Sequence, residues 1–114
     1  MIFRDIFRAI VRDANLTIEG RSPLWPGVRK TFLKTNPGCM ACGGIQDLEI
    51  HHMVPFHIRP DLELDTENLI TLCETPSRNC HYRIGHSFDW KAYNSEVVND
   101  ARESLLRIIT RKYK

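Results

Sequence analysis

Apolar residues first recur at helical spacing near the start of the chain. Ile2, Phe3, Ile6, Phe7, Ile10 and Val11 share one stripe, which predicts an amphipathic helix over about residues 2–14. Arg4, Arg8 and Arg12 form a second stripe on it, either a solvated face or a set of phosphate contacts. Ser22-Pro23 reads as the next helix start. Trp25, Val28, Phe32 and Leu33 give that helix, about residues 23–35, an apolar face until Asn36-Pro37-Gly38 stops it. Trp25 reads as core. The pattern then shortens to two strand-like runs, Leu48–His52 and Leu69–Cys73, separated by a polar loop with Pro55, Pro60 and the acids Asp61, Glu63, Asp65 and Glu67. Those four acids read as solvated. Cys80 to His86 opens a short helix. Ser95 is the expected cap of a last helix over about 95–112, with Val98, Ala101, Leu105, Ile108 and Ile109 on one face. Two short strands among helices predict an α+β fold, and 114 residues without internal repeats suit one domain spanning 1–114.

Composition narrows the class. Apolar residues are 42% and charged residues 26% of the chain, ordinary for a globular domain and unlike disordered, collagen-like or coiled-coil sequences. No apolar run approaches the ~20 residues of a membrane span. Arg4 and Asp5 interrupt any signal-peptide core. The expectation is a cytoplasmic protein with no membrane partner.

The net charge of +2 conceals an asymmetry. Residues 1–34 carry seven Lys/Arg against three Asp/Glu, residues 78–114 carry eight against four, and the centre holds Arg59 against seven acids. Basic flanks suit a polyanion and an acidic centre suits metal ions. The late basic residues Arg107, Arg111, Lys112 and Lys114 are equally explained by the negative end of a helix dipole.

Four cysteines allow three disulfide pairings, but a reducing cytosol favours metal binding. Cys39-x2-Cys42 sets two sulfurs on one turn, and Cys73 with Cys80 completes a four-cysteine set for structural Zn²⁺. Six residues separate the second pair, so Cys80 is the least assured ligand, with His81 or another histidine as a substitute. A second group comprises His51-His52, Asn68, His81 and His86. Neighbours on a strand point to opposite faces, so one histidine of the pair can ligate a metal while the other faces a substrate water.

At these residues the sequence resembles the HNH endonuclease family, in its small, zinc-knuckle, phage-type form. The matching text is Trp25-Pro-Gly-Val-Arg-Lys30, Cys39-x2-Cys42, Leu48-Glu-Ile-His-His-Met-Val-Pro55, Asn68-Leu-Ile-Thr-Leu-Cys73 and Cys80-His81, within residues 22–90. The resemblance implies a ββα-metal core over about 46–90 with a four-cysteine zinc knuckle. It also implies hydrolysis of DNA phosphodiester bonds to 5′-phosphate and 3′-hydroxyl ends, using a divalent ion such as Mg²⁺, Mn²⁺ or Ni²⁺. Carried over, His51 and His81 are metal ligands, His52 is the general base and Asn68 orients it.

His86 is a further candidate ligand, although five residues on an ideal helix turn it roughly 140° from His81. Gly85 could break the helix and bring it back. His57 has either a surface role or a phosphate or metal contact, and Arg83 is a candidate phosphate contact. Little chain remains for reading bases, so low sequence specificity is expected. The alternatives are a zinc-stabilised DNA-binding module without turnover and an accessory subunit beside phage packaging (terminase) proteins, in either case a monomer or weak dimer.

Overall fold

The computed structural model describes residues 21–112; the helix expected over residues 2–14 lies outside them. Ser22 starts the first described helix: its hydroxyl accepts the Leu24 N–H at 3.1 Å and its carbonyl accepts the Trp25 N–H at 3.1 Å. Helix α1 (Trp25–Thr35) has a proline in its first turn, where no intrahelical donor is lost, and closes with the Asn36 N–H on the Phe32 carbonyl at 2.9 Å. Its expected face of Trp25, Val28, Phe32 and Leu33 is half-buried. The Arg29 guanidinium pins it to the sheet through Glu49 at 3.0 Å.

Strands β1 (Leu48–His52) and β2 (Leu69–Cys73) pair antiparallel, with Leu48 opposite Cys73 and His52 opposite Leu69. β2 is buried throughout, whereas β1 buries only Ile50 and His51. The connecting loop tightens into 3-10 turns at Pro60–Leu62 and Thr66–Asn68. After β2, residues His81–Gly85 form one π-helical turn. Helix α2 (Val97–Lys112) then packs across it. Ile70, Leu72 and Cys73 meet Cys39, Ala41, Cys80, Val97 and Ala101 in a core small enough to need a staple.

Three expectations change. α2 begins two residues after Ser95, and Asn94 braces its start: the Asn94 Oδ1 accepts the Glu96 N–H at 2.9 Å, while its Nδ2 donates to the Ile84 carbonyl at 2.7 Å. The seam of α2 keeps the expected Val98 and Ala101 but adds Val97 and Ser104, the last donating to the Ala41 carbonyl at 2.8 Å, and Ile109 is left exposed. Glu63, expected to be solvated, is wholly buried. Among the described residues no helix is long and apolar enough to cross a membrane.

Candidate active site

The four cysteines are free thiols whose sulfurs all lie within 4.8 Å of one another. The first pair sits on a turn closed by the Gly43 N–H on the Cys39 carbonyl at 2.8 Å, with Gly43 at φ 75°, where a side chain would strain the backbone. The six residues between Cys73 and Cys80 fold back on themselves: the Asn79 N–H reaches the Thr75 carbonyl at 2.8 Å, and Asn79 takes a φ of 37°. That turn returns Cys80 to the cluster despite its unusual spacing. Crowding splits the thiols. The hydrogen bond from Cys80 holds the Cys39 pKa down to about 5, and the same bond pushes the Cys80 thiol up. Four such groups become thiolates together only around a cation, and a tetrahedral thiophilic ion fits this donor set.

A second donor set stands on the other face of the turn. One ring nitrogen each of His51, His81 and His86 lies within 4.8 Å of the other two. His51 ends the buried part of β1, while His81 and His86 bracket the π-helical turn, whose closing bond runs from the His86 N–H to the His81 carbonyl at 3.1 Å. An i→i+5 bond stacks residue i+5 over residue i, so His86 returns to the side of His81 that an α-helix would deny it. Each of the two is oriented from behind. His81 Nδ1 meets Glu74 Oε2 at 3.0 Å, and His86 Nδ1 donates to the Ala92 carbonyl at 3.2 Å, which leaves their Nε2 lone pairs for a ligand. Burial, reinforced by His81, His86 and His52, lowers the His51 pKa to about 3, and burial also lowers His86. Neutral imidazoles are the ligand form. The three nitrogens therefore fit a divalent ion.

Gly85 is what lets them converge. A Cβ there would sit 3.1 Å from Leu72 Cδ1 and 3.2 Å from both His51 Nδ1 and His81 Cδ2. Gly85→Ala is expected to weaken Mn²⁺ binding by about 10–100-fold, the range for disturbing groups that orient ligands. Calorimetric titration checks this against an unchanged thiol-site metal content; equal affinity would show that the triad tolerates the methyl.

His52, the next residue on β1, lines the same cleft as His51 but stands outside the convergence of the other three histidines. Its Nε2 lies 2.9 Å from the Glu63 carbonyl, which can only accept, so Nε2 carries the proton and Nδ1 presents a lone pair. Trp25, expected in the core, is instead half-buried and packs on the ring at 4.6 Å between centroids, which makes it a wall of the site. Burial lowers the His52 pKa; the bond to Glu63 opposes this and the Arg21 cation adds to it. The imidazole is neutral at pH 7, ready to accept a proton.

The Glu63 carbonyl is itself fixed by its side chain. The buried carboxylate accepts the Ser22 N–H at 2.9 Å and pairs with Arg21 Nε at 2.7 Å. Asn68 acts one step further out: Oδ1 accepts the Val54 N–H at 2.8 Å, and Nδ2 donates to the carbonyls of Val54 at 3.1 Å and Leu62 at 3.4 Å. It ties the chain leaving His52 to the chain arriving at Glu63. Arg21→Ala strands a buried carboxylate and is expected to cost about 3 kcal/mol, the lower end for a broken buried pair because Arg21 is partly exposed. Glu63→Gln keeps an acceptor for Ser22 and should cost less. Chemical denaturation of both variants checks the order; the reverse order would contradict it.

The four histidines open into a cleft of about 430 Å³ bordered also by Arg21, Trp25, Phe56 and the exposed His57. Arg83 is not among its lining residues; it is exposed with its guanidinium 5.9 Å over Phe88. Residues 38–87 match the family model for HNH endonuclease, a span that holds both donor sets, His52 and Asn68. Over that span the chain is similar to HNH endonucleases. No curated protein and no solved structure matches it. The matched span holds β1, β2 and the His81–Gly85 turn in ββα order, with α1 and α2 flanking it.

Sequence reasoning missed Arg21, Glu63, Glu74 and the Ala92 carbonyl in this site. Each acts through a contact between separated positions, Ser22 to Glu63 spanning 41 residues, and no local pattern carries such a contact.

Proposed function

We propose that this protein is a metal-dependent DNA endonuclease in which His52 activates water against a phosphodiester held at the histidine triad. The observation that carries the reading is the division of labour among four histidines in one cleft: three converge their nitrogens, and the fourth keeps a neutral Nδ1 free. His51, His81 and His86 would hold the divalent ion, and Cys39, Cys42, Cys73 and Cys80 a structural zinc. When bound, the catalytic ion supplies Lewis-acid stabilisation of the charge that develops on the leaving oxygen.

The residues do the rest. His52 Nδ1 takes a proton from a water as the water oxygen bonds to phosphorus, the bond to the 3′-oxygen breaks, and that oxygen takes a proton from a solvent water. The products are 5′-phosphate and 3′-hydroxyl ends. The Glu63 carbonyl, on Nε2, steadies the imidazolium that results. Arg21 with Ser22 and Asn68 keep that carbonyl in place. Low sequence specificity is part of this proposal. End-labelled DNA incubated with Mg²⁺, Mn²⁺ or Ni²⁺ tests this. The reading expects fragments that ligate without end repair and no fragments in EDTA; metal-independent cutting, or 3′-phosphate ends, would refute it.

A further inference from the structure

A row of aromatic rings leads away from the histidine triad. The Trp90 ring lies 5.2 Å from His81 and 5.0 Å from His86, Tyr82 lies 4.9 Å from Trp90, and Phe88 lies 5.9 Å from Tyr82, centroid to centroid. Trp90 remains 52% exposed and Phe88 63% exposed despite these contacts. Apolar burial alone would tuck such rings inward. Here the chain does the opposite at a conformational cost, because Ser87 and Phe88 are consecutive non-glycine residues with φ of 51° and 67°. The loop is tied to the ligand-bearing turn: the Tyr82 hydroxyl donates to the Phe88 carbonyl, and the Asp89 N–H donates to the His86 carbonyl at 2.9 Å. Cations stand beside the rings. The Arg83 guanidinium is 5.9 Å over Phe88, and Arg78 and Lys91 are exposed nearby in sequence. Of the acids, Glu74 is engaged by His81 and Asp89 accepts the Lys91 N–H; Asp100 and Glu103 line the hollow beside Arg83 and Phe88, where Asp100 accepts from Asn94 Nδ2 at 3.0 Å and Glu103 pairs with Arg107 at 3.3 Å.

We propose that Trp90 and Phe88 form a stacking track for unpaired bases of the DNA strand being cut, which makes single-stranded or locally unpaired DNA the preferred substrate. The proposal rests on the nuclease reading for its location. A base is one sugar away from its phosphate, so a phosphate at the triad brings a neighbouring base to Trp90. In a duplex both faces of that base are occupied by its neighbours, and it must leave the stack to meet a side chain. Ring-on-base stacking is indifferent to sequence, in keeping with an enzyme of low specificity, and Arg83 beside Phe88 adds a cation for the next phosphate. This gives Arg83 a place on the strand's path although it does not line the cleft.

The test separates binding from cutting by working in the His52→Ala protein. Affinities for a labelled oligothymidylate and for a blunt duplex of equal length are measured by fluorescence anisotropy, with Trp90→Leu, Trp90→Phe and Phe88→Ala added in turn. The single strand is expected to bind more tightly. Trp90→Leu should weaken it by about ten- to hundredfold, the loss of one stacked base, while Trp90→Phe retains most of the affinity and duplex binding is unchanged. Phe88→Ala, at an exposed position that carries little of the fold, should also weaken the single strand selectively. Quenching of Trp90 emission by oligothymidylate, read with Trp25→Phe to remove the other tryptophan, should accompany binding. Equal affinity for both DNA forms, or no effect of any ring substitution, overturns the track even if the wild type cuts plasmid. Ring-dependent binding by a chain that cuts nothing would sustain the track and overturn the nuclease reading.

Discussion

His52→Ala is expected to lower DNA cleavage by about 10²–10⁴-fold, the usual contribution of a general base, with fold and DNA affinity retained. The selectivity follows from geometry. His52 contributes a proton acceptor and a bond to the Glu63 carbonyl, but it stands outside the convergence of His51, His81 and His86. The same account sets the pH profile. Burial lowers the His52 pKa, so its basic form is already complete at neutrality, and the acid limb of the rate should fall below the ordinary histidine value of about 6.5. His51 and His86 have lowered pKa values too, and protonating them expels the ion, which steepens that limb. Single-turnover rates from about pH 5 to 8 with matched Mn²⁺ check both points. Activity surviving in His52→Ala, or an acid limb centred above about 6.5, would remove His52 as the base.

Removing the thiolate-bound metal should have the larger effect on stability. Structural zinc contributes roughly 10–16 kcal/mol in small zinc-dependent folds, against roughly 5–15 kcal/mol of total stability for an ordinary domain, so its loss exceeds what this core can absorb. The core is built around the ligands: Cys39, Cys73 and Cys80 belong to the same buried cluster as Ile70 and Leu72. Cys80 immediately precedes the His81–Gly85 turn, so freeing it also releases two of the three triad histidines. Cys73→Ser, or extraction with a strong zinc chelator, is expected to abolish cooperative unfolding and the far-ultraviolet dichroism of α2 together. Mild EDTA should remove only the triad ion, leaving a folded, inactive protein with about one zinc. A folded protein free of zinc would contradict the account.

The strands are legible because each is a short apolar run bounded by turn residues, and both fall at the residues the pattern indicates, Leu48–His52 and Leu69–Cys73. The Cys39-x2-Cys42 turn is equally plain. His86 is ambiguous in sequence for a definite reason: periodicity assumes about 3.6 residues per turn, whereas the turn here closes with an i→i+5 bond around Gly85. Glu63 escapes sequence reading because carboxylates in polar loops are ordinarily solvated, and the Arg21 and Ser22 groups that stabilise it lie far upstream. Ser95 resembles a cap by residue type, yet Asn94 is the side chain that reaches the start of α2. Trp90 gives no local signal, since an aromatic residue in a loop has no periodicity to place it against the histidines.

The most direct measurement is relaxation of supercoiled plasmid by zinc-loaded protein with added Mg²⁺, Mn²⁺ or Ni²⁺, run beside EDTA and beside His52→Ala. The account predicts nicked or linear product with at least one ion, none in EDTA, and a loss in the variant of at least about a hundredfold. Intact plasmid with every ion, from a folded protein holding its zinc, would contradict the claim that the four histidines form a nuclease site.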